Sequence, residues 1–211
     1  MPRYRLAIFD FDGTLADSLP WFRASFHDVI ARFGLTPVTA EELEGMRGLS
    51  AREIMARLNV SMWQLPAIVS DMRKRKLAAA SEISLFDGIP TLLSDLQRLG
   101  IKTAIVSSDS EASVRQVLGP ATSQITRFDC GAALFGKHWK FRRVARKLGV
   151  TSTQTICIGD EIRDIEAADA AGMDSGAVAW GYAFPSALQA MGPTHLFNSI
   201  EEMMQRLTAT S

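Results

Sequence analysis

The 211-residue sequence contains little cysteine, no excess of charge of either sign and no long apolar run. Lysine plus arginine and aspartate plus glutamate number 23 each, which argues against nucleic acid or an anionic membrane as a partner. No apolar run approaches the roughly 18 residues that a membrane-spanning helix needs. The two cysteines, Cys130 and Cys157, lie far apart in apolar surroundings, which predicts buried, reduced thiols. These absences together predict a soluble cytoplasmic protein.

Short apolar runs recur along the chain and predict strands that are buried on both faces of a parallel sheet. The runs lie at Leu6–Phe9, Thr103–Val106, Thr155–Ile158 and Ala177–Trp180. Segments with apolar residues at helical spacing lie between them, and glycines stand where these helices would end, at Gly100, Gly149 and Gly172. The alternation predicts an α/β fold whose core is a Rossmann-like parallel sheet.

One connection is far longer than a crossover helix with its loops. Between the first and second predicted strands, apolar residues repeat at helical spacing, as at Trp21, Phe22, Phe26 and Ile30, and no buried strand is indicated. We therefore predict an inserted α-helical cap domain over residues 16–84. The α/β core is then discontinuous and comprises residues 1–15 and 85–211.

Residues capable of chemistry stand directly after three of the predicted strands. Asp10 and Asp12 come after the first, Ser107 after the second and Asp160 after the third. In an open parallel sheet, ligands bind beyond the carboxyl ends of the strands. Each residue taken alone could be a turn former or a helix cap. Burying three carboxylates at one edge costs free energy unless other groups pair with them. The pattern therefore favours the binding of a hard cation or an oxyanion at that edge.

Magnesium would supply the compensation, because it prefers oxygen ligands from carboxylates, phosphate and water. We predict that Asp10 and Asp160 bind Mg²⁺ together with the backbone carbonyl of Asp12. Asp10 and Asp12 return to the same side of an extended chain, so one carboxylate could attack while the other transfers a proton. Their mutual repulsion favours a protonated Asp12, which could then act as an acid.

Four features of the sequence resemble the haloacid dehalogenase superfamily. They are DFDGTLADS at residues 10–18, Ser107 after the second strand, Lys137, and GDEIRD at residues 159–164. The likeness is to the phosphatases of that superfamily, specifically the phosphoglycolate phosphatase-like members with a helical cap. It implies the predicted core-and-cap fold and a reaction on phosphate esters.

The resemblance also implies roles for single residues. Asp10 would be the nucleophile, and Asp12 the general acid and later the base that activates water. Ser107, with Ser108 beside it, would hold the phosphoryl group, and Lys137 would neutralise charge. Asp160 would bind Mg²⁺. Asp164 would lie near the metal or orient the lysine.

Two positions depart from the usual pattern of that superfamily. The lysine segment reads GKHWK, so Lys137 and Lys140 compete for one role. At about 100° per residue, Lys137 lies close to the apolar stripe that should face the sheet, whereas Lys140 lies on the flank and should point into water. We therefore assign the role to Lys137. Asp109 stands where relatives often carry a basic residue, and we expect it to cap a helix.

The sequence thus predicts a Mg²⁺-dependent phosphatase that hydrolyses a small phosphorylated metabolite, a phosphoglycolate-like phosphomonoester, through an aspartyl-phosphate. The alternative is a phosphomutase, which uses the same chemistry. A signalling receiver domain carries no helical insertion, and a silent binding module would not fill every reactive position. In the cap, Arg47 or Arg52 could meet a carboxylate or second phosphate of the substrate, and the alternative for each is a solvated surface arginine.

Overall fold

The computed structural model describes residues 2–131 and 136–209. In this part of the chain the strands form one parallel sheet with the order β3-β2-β1-β4-β5-β6. The strands are β1 Leu6–Phe9, β2 Lys102–Ile105, β3 Arg127–Phe128, β4 Thr155–Gly159, β5 Asp174–Val178 and β6 His195–Phe197. The predicted α/β fold with a parallel sheet is therefore confirmed.

Ten α-helices lie in the described residues. They are α1 Leu19–Phe33, α2 Ala40–Gly45, α3 Ala51–Arg57, α4 Leu65–Ala78, α5 Ile89–Arg98, α6 Glu111–Leu118, α7 Lys137–Leu148, α8 Ile162–Ala171, α9 Pro185–Ala190 and α10 Ile200–Thr208. Helices α1 to α4 all lie between β1 and β2, and the others follow β2 or immediately precede it.

Strand β1 shows why the central strands are apolar throughout. Its side chains alternate between the two faces of the sheet. Ala7 and Phe9 belong to the apolar cluster that includes α5, α6 and α10, whereas Leu6 and Ile8 belong to the cluster that includes α7 and α8. Both faces are thus covered by helices, and all four residues are fully buried. The two helical layers hold the ends of β1, β2 and β4 side by side.

The sequence-based strand boundaries fail towards the edges of the sheet. The sequence predicts the last strand at Ala177–Trp180, but β5 spans Asp174–Val178. Trp180 lies in the following loop, where its indole N–H donates to the carbonyl of Thr14. Strands β3 and β6 were not predicted at all. Both are short edge strands with mixed polarity, so neither shows a buried apolar run.

Helices α1 to α4 have an apolar cluster of their own. Its buried members are Phe26, Ile30, Leu35, Met46 and Leu58. The chain leaves and re-enters the core through paired backbone, because Asp17 N–H donates to the Ser84 carbonyl and Phe86 N–H donates to the Leu15 carbonyl. The division into a cap over residues 16–84 and a core over the rest stays a prediction.

Two further expectations concern burial and membranes. Cys157 is buried, but Cys130 is only partly buried, so the prediction of two buried thiols is wrong for Cys130. The reason is its position two residues after the edge strand β3. Within the described ranges, no helix is both long enough and apolar enough to cross a membrane.

Candidate active site

The sheet topology brings the predicted site residues together. Strand β1 lies between β2 and β4, so the residues that follow these three strands meet at one edge. Asp10, Ser107 and Asp160 stand there with relative exposures of 5%, 1% and 0%. Polar groups of this kind are rarely buried without partners, so their contacts indicate what the site can bind.

Lys137 bridges two of the carboxylates, and we call Asp10, Lys137 and Asp164 the core bridge. The Lys137 Nζ lies 2.8 Å from Asp10 Oδ2 and 2.6 Å from Asp164 Oδ1. The other oxygen of Asp10 accepts a hydrogen bond from the Phe11 N–H at 2.8 Å. Lys137 is the first residue of α7 and is buried, as the helix-phase argument predicted for its position.

Two cations beside Asp10 lower its pKa. Burial by itself would raise the pKa of Asp10, but the charges of Lys137 and Arg163 outweigh it and hold that pKa below its ordinary value. Burial likewise opposes the charge of Lys137, whereas Asp10 and Asp164 raise the pKa of the lysine above its usual value. A buried carboxylate that remains charged next to a fixed cation is suited to nucleophilic attack.

Asp160 adds a third carboxylate to this end of the site. Oxygens of Asp10, Asp160 and Asp164 lie within 4.8 Å of one another. Burial raises the pKa of Asp160 well above its ordinary value, and the neighbouring carboxylates Glu161, Asp10 and Asp164 raise it further. The interpretation of Asp160 as a helix cap is wrong, because the N-cap residue of α8 is Glu161.

Two glycines allow the backbone to approach Asp160. A Cβ atom on Gly13 would lie 2.1 Å from an Asp160 oxygen, and one on Gly181 would lie 2.2 Å from its Cβ. The carboxylate accepts hydrogen bonds from the Thr14 hydroxyl at 2.7 Å and from the Tyr182 N–H at 2.8 Å, which fixes its orientation. The carboxylate oxygens are buried, fixed in orientation and together carry excess negative charge. Such a set of oxygen ligands fits a hard divalent cation such as Mg²⁺.

A second lysine lies beside Asp12, and we call Asp12, Lys76 and Asp109 the cap bridge. Lys76 is buried near the end of α4 and forms ion pairs with Asp12 and with Asp109 Oδ2, the latter at 2.8 Å. Ser18 Oγ donates a hydrogen bond to Asp12 Oδ1 at 2.6 Å and lies 3.0 Å from the Tyr182 hydroxyl. These contacts connect the inserted helices to the first sequence motif.

Asp12 is electrostatically different from Asp10. Burial raises the pKa of Asp12, Asp109 raises it further, and Lys76 offsets only part of the effect, so the pKa stays above its ordinary value. A raised pKa favours the protonated form that a general acid needs.

Sequence analysis missed the role of Lys76 and misassigned that of Asp109. Lys76 follows Ile68 and Met72 at spacings of four residues, so the three share one helix face, and this was the available signal. Asp109 does not cap α6. Its N-cap is Ser110, whose side chain accepts from the Ser113 N–H, while Asp109 pairs with the lysine.

Ser107 and Ser108 lie at the end of β2, close to the cap bridge. Ser107 Oγ accepts a hydrogen bond from the Asp109 N–H at 3.0 Å. The Ser108 carbonyl accepts from Arg73 Nε at 2.7 Å. Both serines therefore occupy the predicted edge of the sheet, and their phosphoryl-binding role stays a prediction.

The two arginines proposed from the cap differ in position. Arg47 donates to the carbonyls of Tyr182 and Gly181 at 2.6 and 3.0 Å and pairs with Glu44 at 2.6 Å. It therefore links the segment between α2 and α3 to the loop after β5. Arg52 is exposed on α3.

The helix phase predicts that Lys140 points into water, but the structure shows that it contacts a buried carboxylate. Its Nζ lies 3.1 Å from Asp129 Oδ1, and Arg143 pairs with the same carboxylate at 2.6 Å. Asp129 is buried after β3 and needs cationic partners, which explains why these side chains turn towards it. Lys140 is thus held away from the carboxylates of the site.

A sequence model of the haloacid dehalogenase-like hydrolases matches residues 7–178. The chain belongs to this family. It is 29% identical over 203 residues to the phosphoglycolate phosphatase of Synechococcus elongatus, covering 95% of this chain and 96% of that protein. It is 32% identical over 189 residues to the phosphoglycolate phosphatase of Xanthomonas campestris, covering 84% of each.

The fold agrees with this family assignment. The structure of a haloacid dehalogenase-like hydrolase from Streptococcus pneumoniae superposes with a TM-score of 0.78 at 21% identity, covering 96% of this chain and 97% of that one. The predicted family and enzyme class, a phosphoric monoester hydrolase, are therefore confirmed, and the phosphomutase alternative is not favoured. Phosphatases of this family generally use Mg²⁺, with which the cluster of Asp10, Asp160 and Asp164 is consistent.

Proposed function

We propose that this chain hydrolyses a small phosphorylated metabolite, a phosphomonoester of the phosphoglycolate kind, through an aspartyl-phosphate in the cytoplasm. The observation that carries the proposal is the contrast between Asp10, whose pKa is lowered, and Asp12, whose pKa is raised. Two carboxylates with opposite shifts, two residues apart at the edge of a sheet, suit a nucleophile and a proton donor. The relatives named phosphoglycolate phosphatases support this class of substrate.

The proposed reaction has two steps. In the first, a carboxylate oxygen of Asp10 attacks the phosphorus, the bond from phosphorus to the leaving-group oxygen breaks, and Asp12 gives that oxygen its proton. In the second, Asp12 takes a proton from water, the water oxygen attacks the phosphorus, and the bond to Asp10 breaks to release inorganic phosphate. Both aspartates then return to their initial states.

Other residues hold the phosphoryl group in position. Lys137 would neutralise its charge, because the ammonium group lies 2.8 Å from the attacking carboxylate. Ser107 and Ser108 would donate hydrogen bonds to its oxygens, and Asp164 would orient Lys137 through their 2.6 Å contact. Asp10, Asp160 and the backbone carbonyl of Asp12 would hold Mg²⁺. When bound, Mg²⁺ offsets the negative charge of the carboxylates and the phosphoryl oxygens.

Substitution of the two aspartates tests the assignment. We expect Asp10→Asn to abolish turnover and labelling by fluoroberyllate, an analogue of a bound phosphoryl group. Asp12→Asn should retain labelling but lose about 10²–10⁴-fold in kcat, because proton transfer is removed while the Asp10 nucleophile is retained. The exposed Asp17 of the same motif provides the control, since Asp17→Asn should leave the rate unchanged. Near-normal turnover by Asp10→Asn would exclude it as the nucleophile.

Asp160→Asn tests the metal ligands. Because the pKa of Asp160 is raised in the folded state, its ionisation costs stability as pH rises from about 4 through that raised pKa. Without Mg²⁺ at neutral pH, we expect the variant to melt at a higher temperature than the wild type. Mg²⁺ should raise the melting temperature of the wild type and have little effect on the variant. An equal response to Mg²⁺ in both proteins would argue against Asp160 as a ligand.

A further inference from the structure

The loop between β5 and α9, residues 179–184, contacts Asp160 through its backbone. Its Tyr182 N–H donates to Asp160 Oδ2 at 2.8 Å, and its Ala183 N–H donates to the Asp160 carbonyl at 3.2 Å. A Cβ atom on Gly181 would lie 2.2 Å from the Asp160 Cβ, so the loop backbone packs directly against this side chain. The position of the loop therefore determines the orientation of a proposed metal ligand.

Arg47, from the segment between α2 and α3, holds the same loop. Its Nε donates to the Tyr182 carbonyl at 2.6 Å, and its Nη2 donates to the Gly181 carbonyl at 3.0 Å. The guanidinium also lies 4.8 Å from the centre of the Phe184 ring, and the Phe184 N–H donates to the Arg47 carbonyl at 3.1 Å. A planar guanidinium presents its donors in a rigid fork, which suits two successive carbonyls.

One peptide group joins Arg47 to Asp160. The Gly181 carbonyl and the Tyr182 N–H belong to the same peptide unit, which is planar because its C–N bond has partial double-bond character. Arg47 binds the oxygen of this unit, and Asp160 Oδ2 binds its N–H. Fixing the carbonyl therefore fixes the direction of the N–H, and the two hydrogen bonds polarise the peptide group in the same sense.

Arg47 is itself fixed by the protein. Its Nη1 donates to Glu44 Oε1 at 2.6 Å, so each of the three guanidinium nitrogens has a protein acceptor. An anionic group of the substrate would have to share these donors with the loop. The contacts of Arg47 therefore favour a role in holding the loop over direct contact with the substrate.

We propose that Arg47 is a positioning residue for the metal site: it fixes the peptide group between Gly181 and Tyr182 and thereby keeps Asp160 in the orientation that binds Mg²⁺. The inference rests on the proposed function, because it takes Asp160 as a Mg²⁺ ligand. Groups that hydrogen-bond to a metal ligand typically contribute about 10–100-fold to metal affinity, and Arg47 acts one contact further away, so we expect about tenfold.

A Mg²⁺ titration of the substrate-free protein tests the inference. The melting temperature is measured against Mg²⁺ concentration, and Kd follows because a ligand that binds only the folded state stabilises it by RT ln(1 + [Mg²⁺]/Kd). Arg47→Met should raise this Kd about tenfold. Arg47→Lys should raise it about threefold, since one ammonium group replaces only part of the fork. Arg57 is 49% exposed on α3 and pairs with Glu42 at 3.9 Å, so Arg57→Met is the control and should keep the wild-type Kd.

The dependence of kcat and KM on Mg²⁺ separates a positioning role from substrate binding. With 2-phosphoglycolate, Arg47→Met should be less active than the wild type at low Mg²⁺, and excess Mg²⁺ should restore kcat to within about twofold because the site is then filled. KM for the ester at saturating Mg²⁺ should be unchanged. Loss of a direct contact with a substrate anion would instead raise KM at every Mg²⁺ concentration and leave the Kd for Mg²⁺ unchanged.

Two results would overturn the inference: a wild-type Kd for Mg²⁺ in folded Arg47→Met, or a raised KM that excess Mg²⁺ does not correct. If Arg47→Met does not fold, Arg47→Lys decides in the same way, because it keeps the positive charge beside Glu44.

The outcomes also separate this inference from the proposed function. If the wild type hydrolyses 2-phosphoglycolate and the Arg47 variants bind Mg²⁺ normally, only the inference is wrong. If the wild type hydrolyses no phosphomonoester, the proposed function fails, and the titration, which needs no substrate, still decides the role of Arg47. Absence of any Mg²⁺ effect on the melting of the wild type would reject the metal site and the inference together.

Discussion

Two buried lysines each bridge two aspartates, yet the bridges differ in origin. The core bridge joins Asp10, Lys137 and Asp164, which all follow strands or begin helices of the sheet layer. The cap bridge joins Asp12 and Asp109, which come after β1 and β2, to Lys76 of α4. The first is built by residues that follow β1 or lie in the first turns of α7 and α8. The second requires Lys76 of α4, so the surroundings of Asp12 depend on how the helices between β1 and β2 pack.

Asp10 and Asp12 each pair with a buried lysine, yet their pKa values are shifted in opposite directions. Burial opposes ionisation of both Asp10 and Asp12. Asp10 has the cations of Lys137 and Arg163 nearby, and its pKa falls. Asp12 shares its single lysine with Asp109, and its pKa rises. An ion pair alone therefore does not determine protonation; the balance of all nearby charges and burial does.

The largest effect is expected from breaking the core bridge. Lys137→Met should lower kcat by about 10²–10³-fold, because it removes a fixed charge at the developing phosphoryl charge and leaves two buried carboxylates unpaired. Lys140→Met is the matched control on the same helix and should change kcat little. Steady-state kinetics with a phosphomonoester would measure both. A loss confined to Lys140→Met would transfer the charge-neutralising role to Lys140.

Breaking the cap bridge should have a smaller effect. Lys76→Met should reduce kcat by about tenfold to a hundredfold, since Asp12 is displaced but retains part of a proton-transfer contribution of about 10²–10⁴. Lys76→Arg should restore part of the rate by replacing the cation. Lys74 is exposed on the same helix, and Lys74→Met should be neutral. If kcat for Lys76→Met equals that of the wild type, the cap bridge does not position Asp12.

The smallest expected effect is a change in pH dependence on removing Asp109. Asp109 raises the pKa of Asp12, so Asp109→Asn should lower that pKa, and Lys76, left with one partner, would lower it further. Because a general acid must be protonated, the loss of activity at high pH should begin at a lower pH, by less than about one unit. The exposed Asp169 gives the control variant Asp169→Asn. An alkaline limb that stays in place or moves upward would contradict this prediction.

The catalytic edge could be predicted because it follows from local features. Apolar runs identified three central strands, and Asp10, Ser107 and Asp160 stand at their ends, so their convergence is a property of any parallel sheet with this strand order. The position of Lys137 followed from its helix phase, and the structure places it at the carboxylates. The catalytic roles of these residues stay predictions until the variants are measured.

The sequence alone therefore determined the α/β fold, the family and the place of the carboxylates, because strand patterns and motif spacing are local properties of the chain. Only the tertiary structure decided the partners of Lys76, Asp109 and Lys140. Lys76 is 64 residues from Asp12 in the sequence. The spacing of Ile68, Met72 and Lys76 indicates one face of α4, but no periodicity specifies which loop that face meets. A buried charge without a partner costs free energy, so the packed structure pairs it with an opposite charge that can be far away in the sequence.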